Sequence, residues 1–190
     1  MFTLFSADII GNPGNCTYPN QIEVTDEDSL RAAVCHDYVC AEYKNSYRNG
    51  DNFLSADCLP VDCDNDHSED PADWVTPADV ATAFPDISFA VHYSRYNMRE
   101  KNGKPARPKF HILFPIERIT DASTYSEMKK LVNSIFPYFD TKALDAARFF
   151  FGTATAEVEI VPGSMSLTEF LVNDDFDAEM SDGHHASAVI

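Results

Sequence analysis

Basic residues are scarce in this chain: 14 Lys and Arg stand against 31 Asp and Glu, for a formal net charge of −17. Proteins that grip nucleic-acid phosphates over a broad surface carry a basic footprint, so the charge of the whole chain speaks against such a surface. Long apolar runs are missing too, and none approaches the roughly 20 residues that a membrane-spanning helix needs. The opening Met1-Phe2-Thr3-Leu4-Phe5 lacks the basic flank of a signal peptide. No Cys-x-x-Cys pair occurs. The five cysteines, Cys16, Cys35, Cys40, Cys58 and Cys63, are an odd set that reads as reduced thiols in a cytoplasmic protein. Cys35, His36 and Cys40 fall close together, but a small buried helix face explains them better than a zinc site. What is present is globular: 44% hydrophobic and 12% aromatic residues in a chain of 190. That length suits one domain, or two small lobes sharing a cleft.

The charge is unevenly spread. Residues 57–86 hold nine acidic and no basic side chains, and residues 157–190 hold eight acidic and none basic. Between them Arg95, Arg99, Lys101, Lys104, Arg107 and Lys109 are opposed by Glu100 alone. The chain is acidic with one concentrated basic loop. A solvated hairpin tip is the plain reading of such a run; its position beside the candidate site described next favours a phosphate clamp.

Periodicity places the elements. Thr25 precedes acidic residues at the start of a predicted helix whose inner stripe is Leu30, Ala33 and Val34. A strand around Cys58–Asp64 follows, and Thr76-Pro77-Ala78-Asp79 caps a short helix through Ala83. Residues 87–94 and 109–114 read as a hairpin across the basic loop. In its second strand Phe110, Ile112 and Phe114 share one face, and Lys109, His111 and Leu113 the other. A helix is expected over 123–136, a short one over 142–147, strands near 149–151 and 157–161, and a last helical turn over 166–171. Residues 173–190 read as an acidic, flexible tail, in keeping with a domain cut from a longer protein. With an antiparallel central hairpin and irregular alternation, the expected class is α+β.

Asp62-Cys63-Asp64 is the feature on which a functional reading turns. Alternation along a strand projects both carboxylates the same way, roughly 6.6 Å apart, while Val61 and Cys63 turn into the core. Carboxylates held that close repel. A divalent cation with a preference for hard oxygen ligands, Mg2+ or Mn2+, relieves the repulsion. His111 lies on a later strand and Asp140 follows the aromatic pair Tyr138-Phe139.

Paired Asp, then His, then a lone Asp after an apolar residue resembles the three motifs of the archaeo-eukaryotic primase superfamily, the primase-polymerases. The flanks resemble the primase domains of phages and mobile elements, at Asp51-Asn52-Phe53-Leu54-Ser55-Ala56-Asp57-Cys58, Asp62-Cys63-Asp64-Asn65 and Ala147-Arg148-Phe149-Phe150-Phe151-Gly152-Thr153. The resemblance runs from about Ile22 to Leu171. It implies a catalytic core with an RRM-like antiparallel sheet and flanking helices around a cleft, spanning residues 1–172. It further implies two-metal nucleotidyl transfer from nucleoside triphosphates on a single-stranded DNA template, with a helicase domain or protein as partner and no membrane. Asp62, Asp64 and Asp140 would be the metal ligands, and His111 would contact the triphosphate. Lys109, Arg107, Lys104, Arg95 and Arg148 are candidate nucleotide-binding residues.

Each assignment has a plainer competitor. Asp140 could cap the helix after it, leaving Asp145 as the third carboxylate, and Asp145 could pair with Arg148 three residues on. An EF-hand would use Asp62, Asp64 and Asp66, but His67 stands where Gly is required and Asp73 where Glu is expected. A nicking initiator would need two metal-binding histidines around one apolar residue, which His111-Ile112-Leu113 does not supply. An inactive, metal-binding relative that serves replication by binding partners is the main alternative.

Overall fold

The computed structural model describes residues 1–101 and 103–172; the predicted tail at 173–190 lies outside the described residues. In chain order the elements are β1 (Phe2–Ser6), β2 (Asn20–Val24), α1 (Glu27–Val34), β3 (Tyr38–Val39), β4 (Glu42–Tyr43), β5 (Phe53–Cys63), α2 (Pro77–Ala83), β6 (Phe89–Tyr93), β7 (Phe110–Ile119), α3 (Ala122–Ile135), β8 (Phe149–Phe150) and β9 (Val158–Val161). Two antiparallel sheets result. One has the order β2-β1-β3-β8, the other β4-β5-β7-β6-β9. The expected α+β class, the β6–β7 hairpin and the helix after it are all present.

The larger sheet is buried on both faces, and alternation decides which residue serves which side. Leu59, Val61 and Cys63 of β5 share a face with Phe110, Ile112 and Phe114 of β7 and with Phe89 and Val91 of β6. That face packs on Val80 of α2 and on Tyr125 and Val132 of α3. The opposite face carries Cys58, Leu113 and Ala90, and meets Leu30, Ala33 and Val34 of α1 with Phe2, Leu4 and Tyr38 of the smaller sheet.

Local chemistry sets the helix ends. Asp26, one residue beyond the expected Thr25, caps α1: its carboxylate accepts from Ser29 N at 2.8 Å, and Ser29 Oγ accepts from Asp26 N at 3.0 Å. Asp79 closes α2 by accepting from Thr76 N at 2.7 Å. The helix expected over 142–147 is only a 3₁₀ turn, Thr141–Ala143. Two contacts divert its backbone: Asp145 accepts from Ala147 N at 2.7 Å, and its carbonyl accepts from the buried Lys129 ammonium at 2.8 Å.

Asp37, fully buried, fastens the smaller sheet to its neighbours. Its carboxylate accepts from Gly11 N at 2.8 Å, Asn12 N at 3.0 Å and Gly152 N at 2.9 Å. Gly152 sits so tightly against the His36 backbone that a Cβ would overlap it. Gly152→Ala should therefore lower the urea midpoint of unfolding, with an overpacking cost of about 1–3 kcal/mol. An unchanged midpoint would mean that the strand following His36 gives way freely.

Candidate active site

The register of the larger sheet lines up its polar residues. Asp62 on β5 is directly opposite His111 on β7, and His111 is directly opposite His92 on β6. Opposed residues in an antiparallel pair project to the same face, so the three form a row across three strands. That row belongs to the face turned toward the smaller sheet, where Tyr38 waits: its hydroxyl lies 3.0 Å from His92 Nδ1 and 3.1 Å from His111 Nδ1. His111 Nε2 stands 3.5 Å from Asp62 Oδ1. One step along, Asp64 accepts from the Lys109 ammonium at 2.8 Å.

A cavity of about 250 Å³ opens beside the row. Its walls include Asp62, Asp64, His111, Arg95, Lys101 and Arg148, with the aromatic rings of Tyr96 and Phe149–Phe151. Arg148, next to β8, reaches Asp62 Oδ2 at 3.4 Å, and its Nε is buried without a partner. A donor left unpaired in that way costs free energy until an acceptor arrives. Arg95 lies over Phe151, 4.2 Å from the ring centre, and Lys101 over Tyr96 at 4.5 Å.

Burial decides the protonation states. It raises the Asp62 carboxyl to about 7, and the charge of Asp64 adds to the rise while Arg148 opposes it. Burial lowers His92 to about 3, and it drives His111 well below its usual range with help from His92 and Arg148. Both imidazoles are neutral at physiological pH.

The carboxylate pair fits a hard divalent cation in its chemistry: oxygen donors, mutual repulsion, and one group whose ionisation burial disfavours. Asp140 is tied to the pair through the backbone, its N–H donating to the Asp62 carbonyl at 2.7 Å. Its carboxylate accepts from Lys142 N at 3.0 Å, and it lines an adjoining groove with Asp64, His67 and Tyr138. Asp145, the alternative third carboxylate, caps Ala147 instead and does not pair with Arg148. Among the described residues, no set of three His, Cys, Asp or Glu side chains is gathered as a ready metal site; this includes Cys35, His36 and Cys40.

Two of the expected phosphate contacts lie elsewhere. Arg107 is fully buried, and its guanidinium donates to Asn65 O at 2.8 Å and Glu69 Oε2 at 2.9 Å. Lys104 pairs with Asp66 at 3.1 Å. The reason is the strand order: the acidic segment leaving β5 and the basic segment entering β7 are adjacent, so they neutralise each other. The same pairing uses the loop carboxylates an EF-hand would need. Sequence reasoning passed over Tyr38, His92 and Tyr96, and counted Lys101 in the basic loop without singling it out. The strict opposition of His92 and His111 follows once the hairpin register is known; Tyr38 had no local sign.

No protein-family model matches the chain, and no curated protein matches it in sequence. Among solved structures, the AEP domain of the cyanophage S-2L primase-polymerase is similar, with a TM-score of 0.50. At 15% identity the likeness covers 90% of this chain and 88% of that one. The likeness is one of fold: the chain shares the mixed helix and antiparallel-sheet fold of that domain. No helix among the described residues is long and apolar enough to cross a membrane.

The raised Asp62 makes stability depend on pH. Between the ordinary carboxyl range near 4 and about 7 the folded state holds a proton that the unfolded state has lost, so stability falls as pH rises through that window. Asp62→Asn removes the effect. In EDTA at pH 8 the variant should exceed the parent by about 2–4 kcal/mol in urea unfolding, with the gap narrowing at pH 5. A gap independent of pH would show that Asp62 ionises normally in the fold.

Proposed function

We propose that residues 1–172 form the catalytic domain of a phage or mobile-element DNA primase-polymerase, with the two sheets as lobes around one cleft. The observation that carries the reading is the meeting of Asp62, Asp64, His111 and Arg148 at one cavity on a fold shared with a primase-polymerase domain. In this reading a 3′-hydroxyl attacks the α-phosphate of a nucleoside triphosphate opposite a single-stranded DNA template, and pyrophosphate leaves. Asp62, Asp64 and Asp140 would hold Mg2+ or Mn2+, which when bound stabilises the charge on the attacking and leaving oxygens.

The chain's own groups supply the rest. His111 offers a neutral N–H donor. Arg148 brings an unpaired Nε–H, and Arg95 and Lys101 add positive charge at the same cavity, a guanidinium and an ammonium suited to phosphate. Lys109 holds Asp64 in the absence of a cation and would be released to phosphate on its arrival. Rings of Tyr96, Phe149 and Phe151 give base and sugar an apolar lining. Arg107 serves differently, bracing the acidic loop that carries Asp64.

Incorporation of labelled nucleotide on a single-stranded template with Mg2+ or Mn2+ tests the proposal. The wild type should extend, Asp62→Ala/Asp64→Ala should abolish incorporation, and His111→Ala should reduce it about ten- to a hundred-fold, the worth of one charge-assisted contact. Metal binding by a wild type that never incorporates nucleotide would favour the inactive, partner-binding relative.

Template binding should be weak, because a chain of formal charge −17 repels DNA at long range. A labelled oligonucleotide should bind poorly and with steep salt dependence. Such weakness fits a cytoplasmic enzyme whose DNA is held by a helicase domain or protein. Tight binding that ignores salt would remove the case for that partner.

A further inference from the structure

Behind His111 the buried polar groups continue in a single file. Thr153 Oγ1 lies 3.2 Å from His92 Nε2, His92 Nδ1 lies 3.0 Å from the Tyr38 hydroxyl, and that hydroxyl lies 3.1 Å from His111 Nδ1. His111 Nε2 ends the file at Asp62. Tyr38 and His92 are fully enclosed, so water cannot supply what this chain of contacts lacks.

The protons in the file can be counted. With Asp62 ionised, its oxygen 3.5 Å from His111 Nε2 repels a lone pair there, which favours hydrogen on Nε2. A neutral imidazole has one ring hydrogen, which leaves His111 Nδ1 as an acceptor. Tyr38 then donates to it, and its own oxygen accepts from His92 Nδ1–H. His92 Nε2 in turn accepts from the Thr153 hydroxyl. Each hydrogen bond of the file then runs from Thr153 toward His111, whose Nε2–H faces Asp62.

We propose that Tyr38 and His92 are positioning residues that hold His111 in its Nε2–H form and keep that hydrogen pointed at the cavity. Without them nothing holds His111 Nδ1 as an acceptor, and a molecule with its hydrogen there would face a phosphate with a lone pair. His92 stands 3.3 Å from His111 as well, so it borders the same nitrogen from a second side. Tyr38 stacks on Phe150, 5.4 Å between ring centres, which fixes the hydroxyl in place. Replacing Tyr38 by Phe keeps that stack and removes the hydroxyl that donates to His111 and accepts from His92.

The inference extends the proposed nucleotidyl transfer, but its first test needs no activity. Long-range 1H–15N imidazole spectra of the 15N-labelled protein at pH 8 should give the Nε2–H form for His111 and the Nδ1–H form for His92. An Nδ1–H form at His111 would overturn the assignment whether or not the protein makes DNA. The second test is kinetic. Tyr38→Phe should lower kcat/KM for nucleotide about three- to tenfold, the worth of one buried hydrogen bond. In a His111→Ala background the same change should have an effect below about twofold, since Tyr38 acts through His111. Full additivity of the two substitutions would reduce Tyr38 to a packing residue. If the spectra hold and no variant, parent included, incorporates nucleotide, the functional proposal fails and the assignment stands.

Discussion

The register of β5, β7 and β6 is the constraint on which the site depends. It sets Asp62, His111 and His92 abreast on one face, and a slip by one residue would send all three to the opposite, apolar face. That slip is prevented by hydrophobic burial. Val61, Cys63, Phe110, Ile112, Phe89 and Val91 all belong to the helix-covered core, each of them enclosed. The polar row is thus held in place by the apolar residues that alternate with it, and its geometry is as rigid as the sheet.

Burial has a cost where the row ends. Asp62 is nearly enclosed, next to a second carboxylate, and only Arg148 opposes the rise in its pKa. A carboxylate kept so near neutrality reduces stability at physiological pH, and such groups mark places where structure serves something other than stability. The histidines behind it follow the same logic in reverse, since burial keeps them neutral and able to act as directional donors and acceptors. One low-dielectric environment therefore produces both effects.

The strong charge asymmetry of the chain is resolved locally. Where β5 leaves and β7 enters the sheet, an acidic and a basic segment lie side by side, and Arg107, Lys104 and Lys109 meet Glu69, Asp66 and Asp64. Arg107 makes this more than a surface pairing, since its guanidinium is wholly enclosed and caps backbone carbonyls of the loop. The cations left for the cavity come from other places: Arg95 and Lys101 from the far side of the same loop, and Arg148 from beside β8.

Alternation and capping made much of this legible in advance. Period two along Phe110–Phe114 separated the core face from the face bearing Lys109 and His111, and the inward turn of Val61 and Cys63 left Asp62 and Asp64 together. These follow from the sequence because strand geometry and side-chain polarity act between neighbours. The helix expected over 142–147 failed because Lys129, on α3, draws the Asp145 carbonyl away. Arg107 looked available because nothing local revealed the acidic loop that would enclose it. Tyr38 reaches His92 and His111 across 54 and 73 residues of chain. The sequence by itself determined which side chains share a strand face; which faces meet, and hence which cations are free and which nitrogen of His111 bears hydrogen, was decided by packing one sheet on another, where burial and distant partners outweigh local preference.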